Sequence, residues 1–344
     1  DRFSPRACRA RRASMLQPLS HSVSDKDGTS VLLLSNLILA MEHDFHKWLR
    51  DHSSLNKPNE GVLVGIGDDG AILPGSRADT VITTDTIAEG THFDPSVHSL
   101  ELIGRKALAV NLSDIAAMGA SPTHAVLTLL LPHHFSLAEA QQLCSGMFEL
   151  AAEHGVTIVG GDTNRWSGKL VVGATLMGQR PTSLSGWLIN AAETSDRVIV
   201  SGSFGGSLQG HHLSFEPRIK LANYLAGRYE IHAATDASDS LSLDLQLLAR
   251  ASKVGVDLIA EKIPISDALK TAAAQTQLDG ALYDGEDFEL ILTMPADVFE
   301  QIKADPGVPC QLTDIGKITP PQQGLRISDS QGAFKALIPR GYVH

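Results

Sequence analysis

The chain of 344 residues is long enough for about two domains, each with its own core. Its 43% apolar content and 30 glycines are those of an ordinary soluble α/β protein. A formal charge of −11 argues against nucleic acid or an anionic membrane as the main partner, and no apolar run approaches the roughly 20 residues that span a bilayer. Three dispersed cysteines, Cys8, Cys144 and Cys310, form no CxxC pair, which suits a reducing cytoplasmic setting and gives no zinc or disulfide signal.

The first 40 residues differ from the rest. Five arginines occur in the first twelve positions, and an apolar stretch follows from Val31 to Met41. Basic then apolar is the order of a targeting segment, but the stretch is short, holds Ser35 and Asn36, and lacks a small-x-small cleavage site. Residues 1–40 are therefore read as a disordered extension. Met41 opens a helix running to Arg50.

Short strands are expected at 61–65 and 80–84, with Thr84 and Asp85 at the end of the second. A helix follows over 101–119, where Leu108, Leu112 and Ile115 recur at helical spacing and Gly119 provides the stop. Asn111 and Asp114 share a stripe beside that apolar face. Next come a strand at 124–131 and a helix opened by the capping box Ser136-Leu-Ala-Glu139 and ending at Gly155. Strands at 156–159 and 170–177 are expected to pair around a loop, with Gly160-Gly-Asp-Thr163 directly after the first. In the second half, strands at 197–200, 256–259 and 288–292 alternate with a helix over 238–254, for which Ser238 is the candidate cap. The alternation gives an α/β or α+β fold with two layers per domain, divided as 41–185 and 186–344.

Aspartates recur in glycine-rich or small-residue turns: Gly65-Ile-Gly-Asp-Asp-Gly70, Thr83-Thr-Asp-Thr86, Asn111-Leu-Ser-Asp-Ile115, Gly160-Gly-Asp-Thr163, Asp236-Ala-Ser-Asp239 and Gly285-Glu-Asp287. Each acid alone reads as a turn or cap residue. Together, with few imidazoles or thiolates nearby, they point to Mg²⁺, which usually arrives with substrate phosphates. Gly65 to Gly70 is also a literal GxGxxG, with Asp85 about 20 residues on. A dinucleotide turn must open a helix, whereas Ala71-Ile-Leu-Pro-Gly75 breaks within five residues. The run Gly202 to Gly210 has no Lys-Ser/Thr ending, so it is either a backbone cradle for phosphate or a plain turn.

The segments GIGDDGAIL, TTDT…EGTHF, KALAVNLSDIAAMGASP, GGDTNR, DASDSLSLDL and GEDFEL, with the terminal Gly341-Tyr-Val-His344, resemble the thiamine-monophosphate kinase family in order and spacing over residues 42–344. This family sits within the aminoimidazole-ribonucleotide-synthetase-like, PurM-like ATP-binding enzymes. The resemblance implies a homodimer, with an N-terminal α/β domain at the interface and a C-terminal α/β domain covering the nucleotide. It implies transfer of the ATP γ-phosphoryl group to thiamine monophosphate. Asp69, Thr83, Thr84, Asp85, Asp114, Asp162, Asp236 and Asp239 would hold several Mg²⁺ ions, with Asp85 and Asp114 at the reacting centre. Gly161, Asp162 and Ser238 would contact ATP, while His92, Glu286 and Tyr342 would contact the thiamine substrate.

Three departures stand out. Leu188-Ile-Asn-Ala-Ala192 replaces a stretch in which the family carries an ATP-contacting Arg; Ser240 stands where the family has Gly, and Asp284 where it has Gly. Two alternatives therefore stay open: another ATP-using relative with a different acceptor, of the selenophosphate-synthetase or hydrogenase-maturation kind, or a non-catalytic nucleotide binder.

Overall fold

The computed structural model describes residues 63–64, 68, 70–75, 77–329 and 331–342. Residues 1–40, the expected helix at 41–50, Asp69 and most of the strand at 61–65 lie outside the described residues. Among the described residues no helix is long and apolar enough to cross a membrane.

The first sheet is built from β1 (Ala71–Leu73), β2 (Ala78–Ala88), β3 (Ser121–Pro132), β4 (Thr157–Trp166) and β5 (Val171–Pro181), in the order β1-β2-β5-β3-β4. Two helices alternate with these strands, α1 (Leu100–Ala117) and α2 (Leu137–Glu153). The capping box at α2 is formed as expected: Ser136 Oγ accepts from Glu139 N–H at 3.2 Å and the Glu139 carboxylate accepts from Ser136 N–H at 2.6 Å. Gly119, with φ of +62°, ends the first helical segment where a side chain would be strained.

The strands expected at 156–159 and 170–177 exist but do not pair with each other. Both flank β3, with β4 parallel and β5 antiparallel to it. The helix α2 makes β3–α2–β4 a crossover, which forces a parallel pairing and sends β4 to the sheet edge. β2 also runs past the expected end at Thr84, so Asp85 lies inside a strand, and Gly160-Gly-Asp lies inside β4.

Thirteen of the eighteen residues of α1 are buried, so the helix is core on nearly all sides and its polar residues must find partners. α1 and α2 cross at two glycines. A Cβ on Gly104 would stand 1.9 Å from the Leu143 carbonyl oxygen, and one on Gly146 would stand 1.9 Å from that of Glu101. We expect Gly146→Ala to force the helices apart and cost about 2 kcal/mol, read as a lowered urea midpoint at unchanged slope.

The second sheet follows α1 in space, its order being β12-β11-β8-β10-β6-β9-β7. Its strands are β6 (Arg197–Ser201), β7 (Ala233–Asp236), β8 (Gly255–Leu258), β9 (Leu290–Met294), β10 (Leu312–Thr319), β11 (Leu325–Ser328) and β12 (Phe334–Ala336). Its helices are α3 (His211–Ser214), α4 (Ile219–Leu225), α5 (Leu241–Ser252), α6 (Ala274–Tyr283) and α7 (Ala296–Ala304). One apolar cluster joins α1 to Phe215, Ile219 and Leu290 of the second half, so the functional side chains meet across a packed seam.

Candidate active site

Three elements bring the acids together: β2, the C-terminal half of α1, and the end of β7. Thr83 Oγ1 donates to the Asp114 carboxylate, and Ser113 Oγ donates to that of Asp236. Asn111 accepts from the Asp85 backbone N–H at 3.0 Å and donates to the Ala107 carbonyl at 3.1 Å. Asp236 is pushed up to about 7, above all by burial, with the charges of Asp85 and Asp239 adding and the Ser113 hydroxyl working against. Carboxylates whose charges converge in this way form a donor set suited to hard divalent cations, and the residues present fit Mg²⁺ on that ground.

Other expected residues lie apart from this cluster. Cross-strand partners point to the same face, and the row Asp85–Ala174–Leu127–Gly161 carries Asp85 on the helix-covered face. Asp162 pairs with Thr128, in the row of Gly173 and Thr86, and so shares the open face with Thr84. The Thr84 hydroxyl meets the Ala174 carbonyl at 3.0 Å and the Thr175 hydroxyl at 2.9 Å, while Asp162 accepts from Asn164 at 2.6 Å. The single chain therefore does not bring the side chains of Thr84 and Asp162 to the face that carries Asp85. Ser238 is not the helix cap. Ser240 caps α5 by accepting from Leu243 N–H, and the Ser238 carbonyl accepts from Glu286 N–H at 2.7 Å.

The trio His92, Glu286 and Tyr342, expected at the substrate, adjoins the cluster through Asp239. Tyr342 N–H donates to the Asp239 carbonyl at 2.9 Å and its hydroxyl to the Thr91 carbonyl, and its ring lies 6.5 Å from that of His92, tilted by 50°. His92 Nδ1 accepts from Ala88 N–H at 3.0 Å, which fixes the turn after β2. Glu286 is only 2% exposed. Its carboxylate accepts from Lys106 Nζ at 2.7 Å; burial works to raise it, yet the charge and hydrogen bond of the Lys106 ammonium help to hold it below the usual carboxylate range.

The glycine-rich turn after β6 is a clamp rather than a phosphate cradle. Gly205 N–H donates to Asp287 at 3.0 Å, Gly206 N–H to Asp284 at 2.8 Å, and Ser207 Oγ to the Glu286 carbonyl at 2.6 Å. These bonds hold a strained loop, in which Glu286 and Phe288 have φ of +54° and +52°. Phe288 is further held by stacking on Phe215 at 4.3 Å.

Two departures are accommodated. Asp284 supplies the acceptor for Gly206, and Ser240 has φ of 172°, extended backbone that needs no glycine. In the third, Asp68 accepts from the Ile189 backbone N–H at 3.2 Å. The nearby Arg180 does not replace the absent Arg, since its guanidinium is spent on the carbonyls of Met118, Leu184 and Gly186.

Burial, with some help from Glu289 and Asp284, lifts Asp287 to about 8 against the pull of the Gly205 N–H, so it is neutral at pH 7. Its unfolded counterpart ionises near pH 4. Stability therefore falls as pH rises between these values, because the unfolded state sheds a proton that the folded state keeps. Asp287→Asn removes that penalty, and we expect a gain of about 1–2 kcal/mol at pH 8 that vanishes toward pH 4, read from urea midpoints.

The Glu153, His154 and Glu216 donors form a separate grouping at the end of α2. Arg105 and Lys220 already face Glu216 at 3.5 and 3.7 Å, which makes it a surface ion network rather than part of this site.

Residues 67–179 match the N-terminal domain, and residues 170–327 the C-terminal domain, of the AIR synthase related proteins. The thiamine-monophosphate kinase of Rhodopirellula baltica is 39% identical over 318 residues, covering 88% of this chain and 97% of the relative. That of Bacillus subtilis is 31% identical, covering 83% and 94%. The chain belongs to the thiamine-monophosphate kinase family. Among solved members of this family, the Stenotrophomonas maltophilia enzyme is 33% identical with a TM-score of 0.66, covering 81% of this chain and 94% of that one. The structure of AaThiL complexed with AMPPCP and TMP is 26% identical with a TM-score of 0.70, covering 80% and 91%. The hydrogenase maturation protein HypE of E. coli, at 20% identity and a TM-score of 0.64, shares the fold.

The sequence reading missed Asn111 and Ser113 as orienting groups, and Lys106 and His212 as partners of Glu286. One signal was available: Lys106 interrupts the apolar run of a helix too hydrophobic to leave it in solvent.

Proposed function

We propose that this chain transfers the γ-phosphoryl group of ATP to the phosphate of thiamine monophosphate, giving thiamine diphosphate. The observation that carries the reading is the seam of Asp85, Asp236 and Asp239, with Asp114 beside it, next to the wall of His92, Tyr342 and Glu286. Membership of the family supports the same reaction.

The acceptor oxygen is already ionised at neutral pH, so the site needs no strong general base. The barrier is the approach of two polyanions in line. Mg²⁺ bound by Asp85, Asp114, Asp236, Asp239 and Thr83, with Asp69, would screen that repulsion and neutralise charge on the transferring group. Ser113 aims the Asp236 carboxylate and Asn111 fixes the backbone that carries Asp85. Gly161, Asp162 and Ser238 are assigned to ATP, and Thr84 to metal, on the family resemblance. ATP is the co-substrate.

We further propose a homodimer in the cytoplasm. β4 is an edge strand exposed along almost its whole length, with Val159 58% and Trp166 39% exposed, and such an edge invites cover by a second copy. Light scattering checks the assembly.

The deciding experiment is thiamine diphosphate formation from ATP, Mg²⁺ and thiamine monophosphate, with unphosphorylated thiamine as control. Product from the monophosphate alone is expected. A folded chain that binds Mg²⁺-ATP without product would refute the reading.

A further inference from the structure

Lys106 is fully buried in α1, and all three of its N–H donors are used. It donates to the His92 carbonyl at 2.9 Å, to Glu286 Oε1 at 2.7 Å and to His212 Nδ1 at 3.0 Å. These acceptors come from the turn after β2, the strained loop before β9, and α3. One ammonium therefore ties together both walls of the acceptor pocket.

Stability alone does not explain such a residue. A buried ion pair is often no better than an apolar pair of the same volume, whereas it fixes geometry that apolar packing leaves loose. Lys106 is itself pushed down by burial, so the position is costly for a cation.

The consequence falls on the second carboxylate oxygen of Glu286. The Lys106 ammonium can only donate, so His212 Nδ1 is the acceptor of the bond between them. That nitrogen has no proton to offer Glu286 Oε2, which lies 3.2 Å from the same Nδ1 and has no hydrogen-bond partner among the described residues. The His98 ring packs edge-on against His212 at 5.6 Å and fixes its plane. A buried carboxylate oxygen without a donor is costly unless a bound molecule supplies one.

We propose that Lys106 and His212 are positioning residues of the acceptor pocket: they spend Glu286 Oε1 within the protein and leave Oε2 aimed to accept an N–H from the bound phosphate acceptor. This rests on the reading of the acceptor as thiamine monophosphate. His212 orients Glu286 through Lys106, and Lys106 also fixes the backbone that carries the His92 ring toward Tyr342.

The test is the split of KM between the two substrates, with thermal melting as the check on folding. His212→Ala is expected to raise KM for thiamine monophosphate roughly tenfold, with KM for ATP changed less than about twofold. His212→Asn, whose side-chain oxygen can accept from Lys106 in place of Nδ1, is expected to recover most of that loss. Lys106→Met should exceed His212→Ala in the same direction; should it fail to fold, the His212 pair still decides the matter. An unchanged KM for thiamine monophosphate in His212→Ala would overturn the positioning role. So would an equal rise for both substrates, or failure of Asn to recover. Absence of turnover in the unaltered protein would overturn the reading of the reaction and this role with it, whereas normal turnover with an indifferent His212→Ala would overturn this role alone.

Discussion

Asp114→Asn is expected to lower kcat/KM by about 10³-fold or more, about 4 kcal/mol of transition-state stabilisation, in a protein that still folds. The substitution is nearly isosteric, and the amide oxygen can still accept from Thr83 Oγ1, so the contact between β2 and α1 survives. What disappears is charge. Asp114 lies in the last turn of α1, where the helix dipole already places partial negative charge and where the sequence supplies no basic residue. A carboxylate there is poorly placed for helix stability and well placed to attract a cation. The variant is therefore expected to melt no lower than the parent in the absence of metal, and to need far more Mg²⁺ for whatever activity remains. Near-parental turnover in a folded Asp114→Asn protein would sink the assignment.

How much of this was legible in the sequence depends on whether local chemistry or partner choice decides the feature. The capping box at Ser136 and Glu139 is written entirely within four residues, and it forms as expected. The discounting of GxGxxG as a dinucleotide turn rests on the residues immediately after Gly70, and Ala71–Leu73 is indeed a strand rather than a helix. The partners of β4 and β5 were misread because hydrophobic alternation gives the face of a strand but not its neighbour. The same blindness hid the separation of Asp162 from Asp85, which is a matter of register across four strands. Ser238 was mistaken for the cap of α5 because Asp236-Ala-Ser-Asp-Ser240 offers several capping side chains, and only the backbone decides which one sits at the helix entrance. Ser240 shows the reverse: a substitution that composition flags as a risk is harmless once φ is known to be extended. Lys106 and Glu286 lie 180 positions apart, and no local rule pairs them.

Asp236→Asn is expected to abolish most activity, by about 10²- to 10³-fold, while making the metal-free protein more stable, an opposition that a purely structural carboxylate would not produce. Asp236 is 3% exposed and faces the charges of Asp85 and Asp239. Its folded value near 7 exceeds the ordinary carboxylate value of about 4. Between these limits the unfolded state has released its proton and the folded state has not, so metal-free stability declines as pH climbs through that window. Asparagine has no proton to lose, and its amide oxygen can still accept from Ser113 Oγ. The melting temperature of the variant in a chelator should therefore exceed that of the parent at pH 7.5, and the two should converge toward pH 4. Adding Mg²⁺ should raise the parent and leave the variant nearly unmoved, because a cation that binds only the folded state stabilises it in proportion to the logarithm of its concentration. A variant that melts lower than the parent without metal would mean that Asp236 holds the seam together rather than waiting for an ion. One that keeps both the Mg²⁺ response and the activity would remove Asp236 from the site altogether.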